Sequence, residues 1–170
     1  MIYIFEGCDG SGKSTQAKLF SEVVDLPIIG NPYPRYFLTH ESFKKVAARN
    51  LIEACTKMHW EQWFNSGFSF ICDRALISSI VYTRFERRSF DFQYIYDLFN
   101  KMNDNIMIFY FYRGLKNLRE DDIFNPNHME KIHEIYKEVI EELSDKITIA
   151  TFDVDAFSIE GLAIKLQSFI

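Results

Sequence analysis

Glycine is scarce in this sequence. There are 7 in 170 residues, and Gly7, Gly10 and Gly12 stand close together near the start. That cluster is where the backbone has most freedom to curl. No apolar run approaches the roughly 18–20 residues of a membrane-spanning helix. The first residues carry neither the basic stretch nor the small-residue cleavage site of a secretory signal, so no signal peptide is expected. There are three cysteines, Cys8, Cys55 and Cys72, odd in number and without metal-site spacing. Three free thiols and a cytoplasmic location are expected. His40, His59, His128 and His133 do not cluster with them, which speaks against a structural zinc. Positive charge is also short: 19 Lys and Arg stand against 24 Asp and Glu, a net charge of −5. No partnership with nucleic acid is therefore expected, and none with a membrane. Rings are plentiful: aromatics are 16% of the chain, with 17 Phe, which excludes disorder and predicts a ring-filled core. The length suits one domain, 1–170.

Short β-rich runs alternate with longer amphipathic ones. Strands are expected at 2–5, 26–29, 68–72, 106–112 and 147–152. Helices are expected over 13–23, 41–65, 75–84, 92–102 and 126–143, and again from Ser158. The runs at 68–72 and 106–112 are apolar throughout, as in parallel strands buried on both faces. This alternation implies an α/β fold, a five-stranded parallel sheet flanked by helices. A polar stretch, 113–125, precedes the helix that Pro126 opens. Arg84, Arg87 and Arg88 read as a solvated helix end.

Gly7, Cys8, Asp9, Gly10, Ser11, Gly12, Lys13 and Ser14 match G-x-x-x-x-G-K-[ST] in full, between a strand and a helix. Glycines let the backbone wrap a phosphate with its N–H groups pointing inward, and the helix N-terminus adds partial positive charge. The motif marks a P-loop nucleotide binder of three-layer architecture: Lys13 reaches the β- and γ-phosphates and the Ser14 hydroxyl ligates Mg²⁺. The D-x-x-G and N-K-x-D motifs of a GTPase are missing. Asp73 and Arg74 follow a parallel strand and face the same crevice. An arginine there can bridge two phosphates, and Asp73 could hold Mg²⁺ through water.

The run from Phe5 through Glu6, the P-loop, Thr15 and Gln16 resembles the F-E-G-x-D-G-x-G-K-S-T-Q of thymidylate kinases. Cys72-Asp73-Arg74 followed by Ser78, Ser79 and Tyr82 matches that family's second motif. Weaker matches follow in order: Trp60-Glu61, the segment after Arg119, and Phe152-Asp153-Val154-Asp155 leading into Ser158-Ile159-Glu160. The resemblance implies a P-loop kinase using ATP and Mg²⁺ to phosphorylate a deoxynucleoside monophosphate, dTMP foremost, with a short lid at about 113–125. It implies an ATP site at Gly7, Cys8, Asp9, Gly10, Ser11, Gly12, Lys13, Ser14 and Thr15, and metal binding at Ser14 and Asp73. Lys13, Arg74, Asp9 and Arg119 of the lid would be catalytic. Asp9, Arg35, His59, Arg74, Ser79 and Tyr82 would hold the acceptor, with Asp9 at the sugar 3′-hydroxyl and Tyr82 under the sugar. A homodimer is left open.

The chain also departs from that pattern. The family's base-stacking Phe falls on Cys55 and its base-reading Arg on His59, unless Trp60, Trp63 or Phe64 supplies a ring. A deoxynucleoside kinase is the alternative. It would need a carboxylate after the second strand, where this chain has Asn31-Pro32-Tyr33-Pro34-Arg35. A catalytically silent P-loop module would show damage at Lys13 or Arg74, and both residues are present.

Overall fold

The computed structural model describes residues 1–30, 46–114 and 126–170. The expected proline loop around Arg35, and most of the expected lid including Arg119, lie outside them. Five parallel strands form one sheet: β1 (Ile2–Glu6), β2 (Ile28–Gly30), β3 (Phe70–Asp73), β4 (Ile106–Tyr112) and β5 (Thr148–Asp153), in the order β2-β3-β1-β4-β5. The α-helices among the described residues are α1 (Lys13–Val24), α2 (Val46–Phe64), α3 (Leu76–Phe85), α4 (Gln93–Met102), α5 (Pro126–Ser144) and α6 (Ile159–Gln167).

Strand periodicity sorts the rings onto two faces. Tyr3, Phe5, Phe109, Phe111 and Phe152 pack with Ala17 and Phe20 of α1 and with Leu162 and Leu166 of α6. Phe5 stacks on Phe111 and Phe111 on Phe152, each pair with centroids 5.5 Å apart. Ile2, Ile4, Phe70, Cys72, Ile106 and Ile108 face the other way, into a larger core with α2, α3, α4 and α5. Each such aromatic pair contributes about 0.5–1.5 kcal/mol beyond its burial. The abundance of Phe thus builds both layers on the sheet.

Two strands start later than their apolar runs. Asp25 ends α1 in the left-handed region at φ 53°, and Pro27 contributes only a carbonyl, accepting from the Ile71 N–H. Regular pairing of β2 begins at Ile28. Gly67 turns the chain at φ 76°, and Phe68 stays 69% exposed, so β3 begins at Phe70, in register with Ile2. Because β1 lies between β3 and β4, the C-terminal ends of those three strands lie side by side, the place where α/β sheets bind ligands.

Candidate active site

The P-loop follows β1 directly. Gly7 takes φ 145°, and a Cβ there would stand 2.2 Å from the Phe111 carbonyl oxygen, so no other residue fits against β4. Gly12 at φ 79° starts α1, whose first residue is Lys13. No side chain caps that helix, leaving its backbone donors for an anion. Ser14 and Thr15 are exposed on its first turn. Cys8 is buried, with Sγ 4.0 Å from His133 Nδ1, and burial pushes its thiol up to about 12. It is a packing residue rather than a nucleophile.

Lys13 is 6% exposed. Burial first, and then the charge of Arg74, lower it from 10.5 to about 8. Its Nζ lies 3.8 Å from Asp9 Oδ1. Arg74 Nη2 donates to the same oxygen at 2.6 Å. Two cations therefore converge on one carboxylate inside the P-loop.

Arg74 has φ 65°, a left-handed conformation that costs about 1–2 kcal/mol for a residue with a side chain. Its N–H donates to the Phe5 carbonyl at 3.0 Å, tying it to β1. Its Nη1 donates to the hydroxyls of Tyr82 (3.1 Å) and Tyr136 (3.2 Å), and Tyr82 donates on to Asp9 Oδ2 at 3.2 Å. Burial pushes the Tyr82 phenol well up, so it acts as a neutral hydroxyl. The sheet and three side chains thus aim the guanidinium at the P-loop.

Two residues of this framework escaped the sequence reading. Glu6, fully buried, accepts from the Ala75 N–H (2.9 Å), the Ser78 N–H (3.3 Å), the Ser78 hydroxyl (2.6 Å) and Tyr136 (3.2 Å). It supplies from β1 the cap that Ala75 cannot give α3. A carboxylate closing an otherwise apolar strand was the available signal. Tyr136 links α5 to Arg74 and Glu6. Among so many rings, nothing in the sequence distinguishes its hydroxyl.

The other expected residues fall as follows. Asp73 ends β3, and its Oδ1 is buried with no partner among the described residues. Ser79 lies on α3 one turn before Tyr82. His59 sits on α2 edge-on to Trp60 and Trp63, where burial lowers its pKa, and its Nε2 is buried with no hydrogen-bond partner among the described residues. Trp60 and Phe64 are core residues, 0% and 2% exposed, so neither offers a ring to a ligand. Arg113 leaves β4 towards the P-loop: its Nη1 donates to the Gly10 carbonyl at 3.1 Å, and its Nε lies 3.1 Å from Asp155. The expected solvated arginine end of α3 holds for Arg87, which is exposed, and for Arg84, which is partly exposed, but is corrected for Arg88. Arg84 holds Glu142 at 2.7 and 2.8 Å, and the Arg88 side chain is 4% exposed.

No family model matches the chain. It is 36% identical over 84 residues to a protein of Acidianus bottle-shaped virus named "Putative thymidylate kinase", across 48% of this chain and 47% of that protein. The match thus spans about half the length of that curated relative. Among solved structures it resembles deoxyadenosine kinase from M. mycoides with products dCMP and dCDP bound (TM-score 0.73, 14% identity, 99% of this chain and 98% of that one). It also resembles thymidylate kinase from Ehrlichia chaffeensis (TM-score 0.67, 18% identity, 99% of this chain and 97% of that one). With its P-loop, its Asp73-Arg74 pair and its β2-β3-β1-β4-β5 sheet, the chain has the fold of a thymidylate kinase-like P-loop kinase.

Proposed function

We propose that the chain is an ATP-dependent kinase that transfers the γ-phosphoryl group of ATP to the phosphate of a deoxynucleoside monophosphate. The observation that carries this reading is the convergence of Arg74 and Lys13 on Asp9, at 2.6 and 3.8 Å. Fixed cations beside the P-loop support a reading in which a donor phosphate meets an acceptor phosphate there, because transfer between two anions is favoured by positive charge between them.

In this mechanism the P-loop N–H groups and Lys13 hold the β- and γ-phosphates. Arg74 spans donor and acceptor. An oxygen of the acceptor phosphate attacks the γ-phosphorus in line, the bond to the β,γ-bridging oxygen breaks, and ADP leaves with that oxygen. The incoming phosphates replace Asp9 as the counter-ion of Arg74, and Asp9 turns to the acceptor's 3′-hydroxyl. Arg35 would clamp the acceptor phosphate, and Arg119 would add charge from the lid. Tyr82 would favour deoxyribose. The resemblance implies dTMP as acceptor, while the base itself is met by residues of α2 and α3.

Asp73 and Ser14 fit a hydrated Mg²⁺: one offers a buried carboxylate oxygen without a partner, the other an exposed hydroxyl on the first turn of α1. When bound, the metal neutralises charge on the phosphates.

The likeness to a deoxyadenosine kinase favours a second reading, phosphorylation of the nucleoside 5′-hydroxyl. ATP turnover against a panel of deoxynucleosides and their monophosphates separates the two. The monophosphates should be the better acceptors, and UMP should be poorer than dUMP. A nucleoside outperforming every monophosphate would replace the proposal.

A further inference from the structure

The face of α3 that carries Tyr82 continues through Ser79, one turn before it, and Thr83, next to it in sequence and one turn on from Ser79. Thr83 is 1% exposed, and its hydroxyl has no partner among the described residues. From α2, Glu53 reaches this face. It is 8% exposed, and the Ser79 hydroxyl lies close enough to its carboxylate to favour the charged form. Arg88 approaches Glu53 Oε1 at 3.3 Å, while its Nε lies 2.6 Å from Glu86 and its Nη1 donates to Asn50 at 3.4 Å. One guanidinium thus serves two carboxylates and an amide. Glu53 Oε2 is left buried with no donor among the described residues. A buried acceptor without a donor is costly, and a purely structural Glu53–Arg88 pair does not account for it. Burial pushes the pKa of Glu53 up, while Ser79 and Arg88 oppose that rise.

Resting on the kinase reading, we infer that Glu53 reads the acceptor's base and selects one carrying an exocyclic amine, cytosine before thymine. Paired with Arg88 at 3.3 Å, Glu53 is held ionised, and an ionised carboxylate accepts and cannot donate. The N4 amine of cytosine is the group that Glu pairs with on that base. Thymine puts the O4 carbonyl at that position, lone pair against lone pair. Its N3–H lies between two carbonyls, so a carboxylate there meets two acceptors for one donor. The Thr83 hydroxyl can donate to cytosine N3 or O2, both acceptors. His59 points the same way. It stands where thymidylate kinases place the base-reading arginine, and, neutral, it lacks the guanidinium's fork of donors.

Calorimetric binding of dCMP and dTMP to the wild type and to Glu53→Gln, with kcat/KM for both acceptors alongside, tests this. The wild type should bind dCMP roughly tenfold or more tighter than dTMP. Glu53→Gln should cut that ratio by roughly tenfold while ATP affinity holds. Binding of dTMP as tight as that of dCMP overturns the inference, and so does an unchanged ratio in a folded Glu53→Gln protein. If the variant does not fold, the wild-type ratio decides alone. A dCMP preference in binding, with no transfer to any monophosphate, removes the kinase reading and keeps the base assignment. Transfer with dTMP preferred does the reverse.

Discussion

Nucleotide binding should draw a proton from solution above neutral pH, because Lys13 is held in a site that disfavours its charge. Burial and Arg74 bring it from 10.5 to about 8, a fall that amounts to roughly 3 kcal/mol. Below pH 8 both the folded and unfolded states carry the protonated lysine, and the native state bears that penalty in full. Between pH 8 and 10.5 the native state loses the proton first, so the stability of the unliganded protein rises with pH across that window. Phosphates in the P-loop restore the charge by direct attraction. At pH 7 Lys13 is already protonated and binding should take up almost no proton. At pH 9 roughly 90% of the free protein has a neutral Lys13, so uptake should approach one proton. Nucleotide affinity should be flat below pH 8 and fall about tenfold per pH unit above it. Calorimetry with ADP in buffers of different ionisation heat measures the uptake directly. Lys13→Met should abolish the uptake and most of the binding, while stabilising the unliganded protein at pH 7 by up to about 3 kcal/mol. Affinity that stays flat to pH 10, or a destabilised Lys13→Met protein, would refute the reasoning.

Arg74→Ala should lower kcat by several orders of magnitude and leave the KM for ATP close to wild type, since the guanidinium acts between the two phosphates; steady-state kinetics check the split. Tyr136→Phe removes a hydroxyl bonded to Glu6 and Arg74, so it should cost about 1–3 kcal/mol in denaturant unfolding and reduce kcat more than either KM. Gly7→Ala drives a Cβ to 2.2 Å from the Phe111 carbonyl, and thermal unfolding should show a loss of about 3 kcal/mol or more. Arg35→Ala should raise the acceptor KM and leave that for ATP unchanged.

Much of the architecture could be read from the chain because both of its signals are local. Apolar runs such as 106–112 mark strands buried on both faces, and the P-loop pattern marks what joins β1 to α1. Less of the site could be read, because it is made by contacts between distant segments. Arg74 stood out as a charge beside a strand end, but its aim comes from Tyr136, 62 positions away. Glu6 lay inside a recognised motif, yet its work as the cap of α3 depends on β1 and β3 being neighbours. Arg88 looked like surface charge; only the approach of α2 shows it to be buried against Glu53. The starts of β2 and β3 were shifted by Pro27 and Gly67, whose backbone demands override the apolar pattern around them.

Phosphate-to-phosphate transfer is the central claim, and the position of the transferred group tests it most directly. ATP labelled in its γ-phosphate, incubated with the protein, Mg²⁺ and dCMP or dTMP, should deliver the label as the β-phosphate of a deoxynucleoside diphosphate, and Arg74→Ala should suppress that product. Label found as the 5′-phosphate of a deoxynucleoside, with the monophosphates inert, would contradict the account.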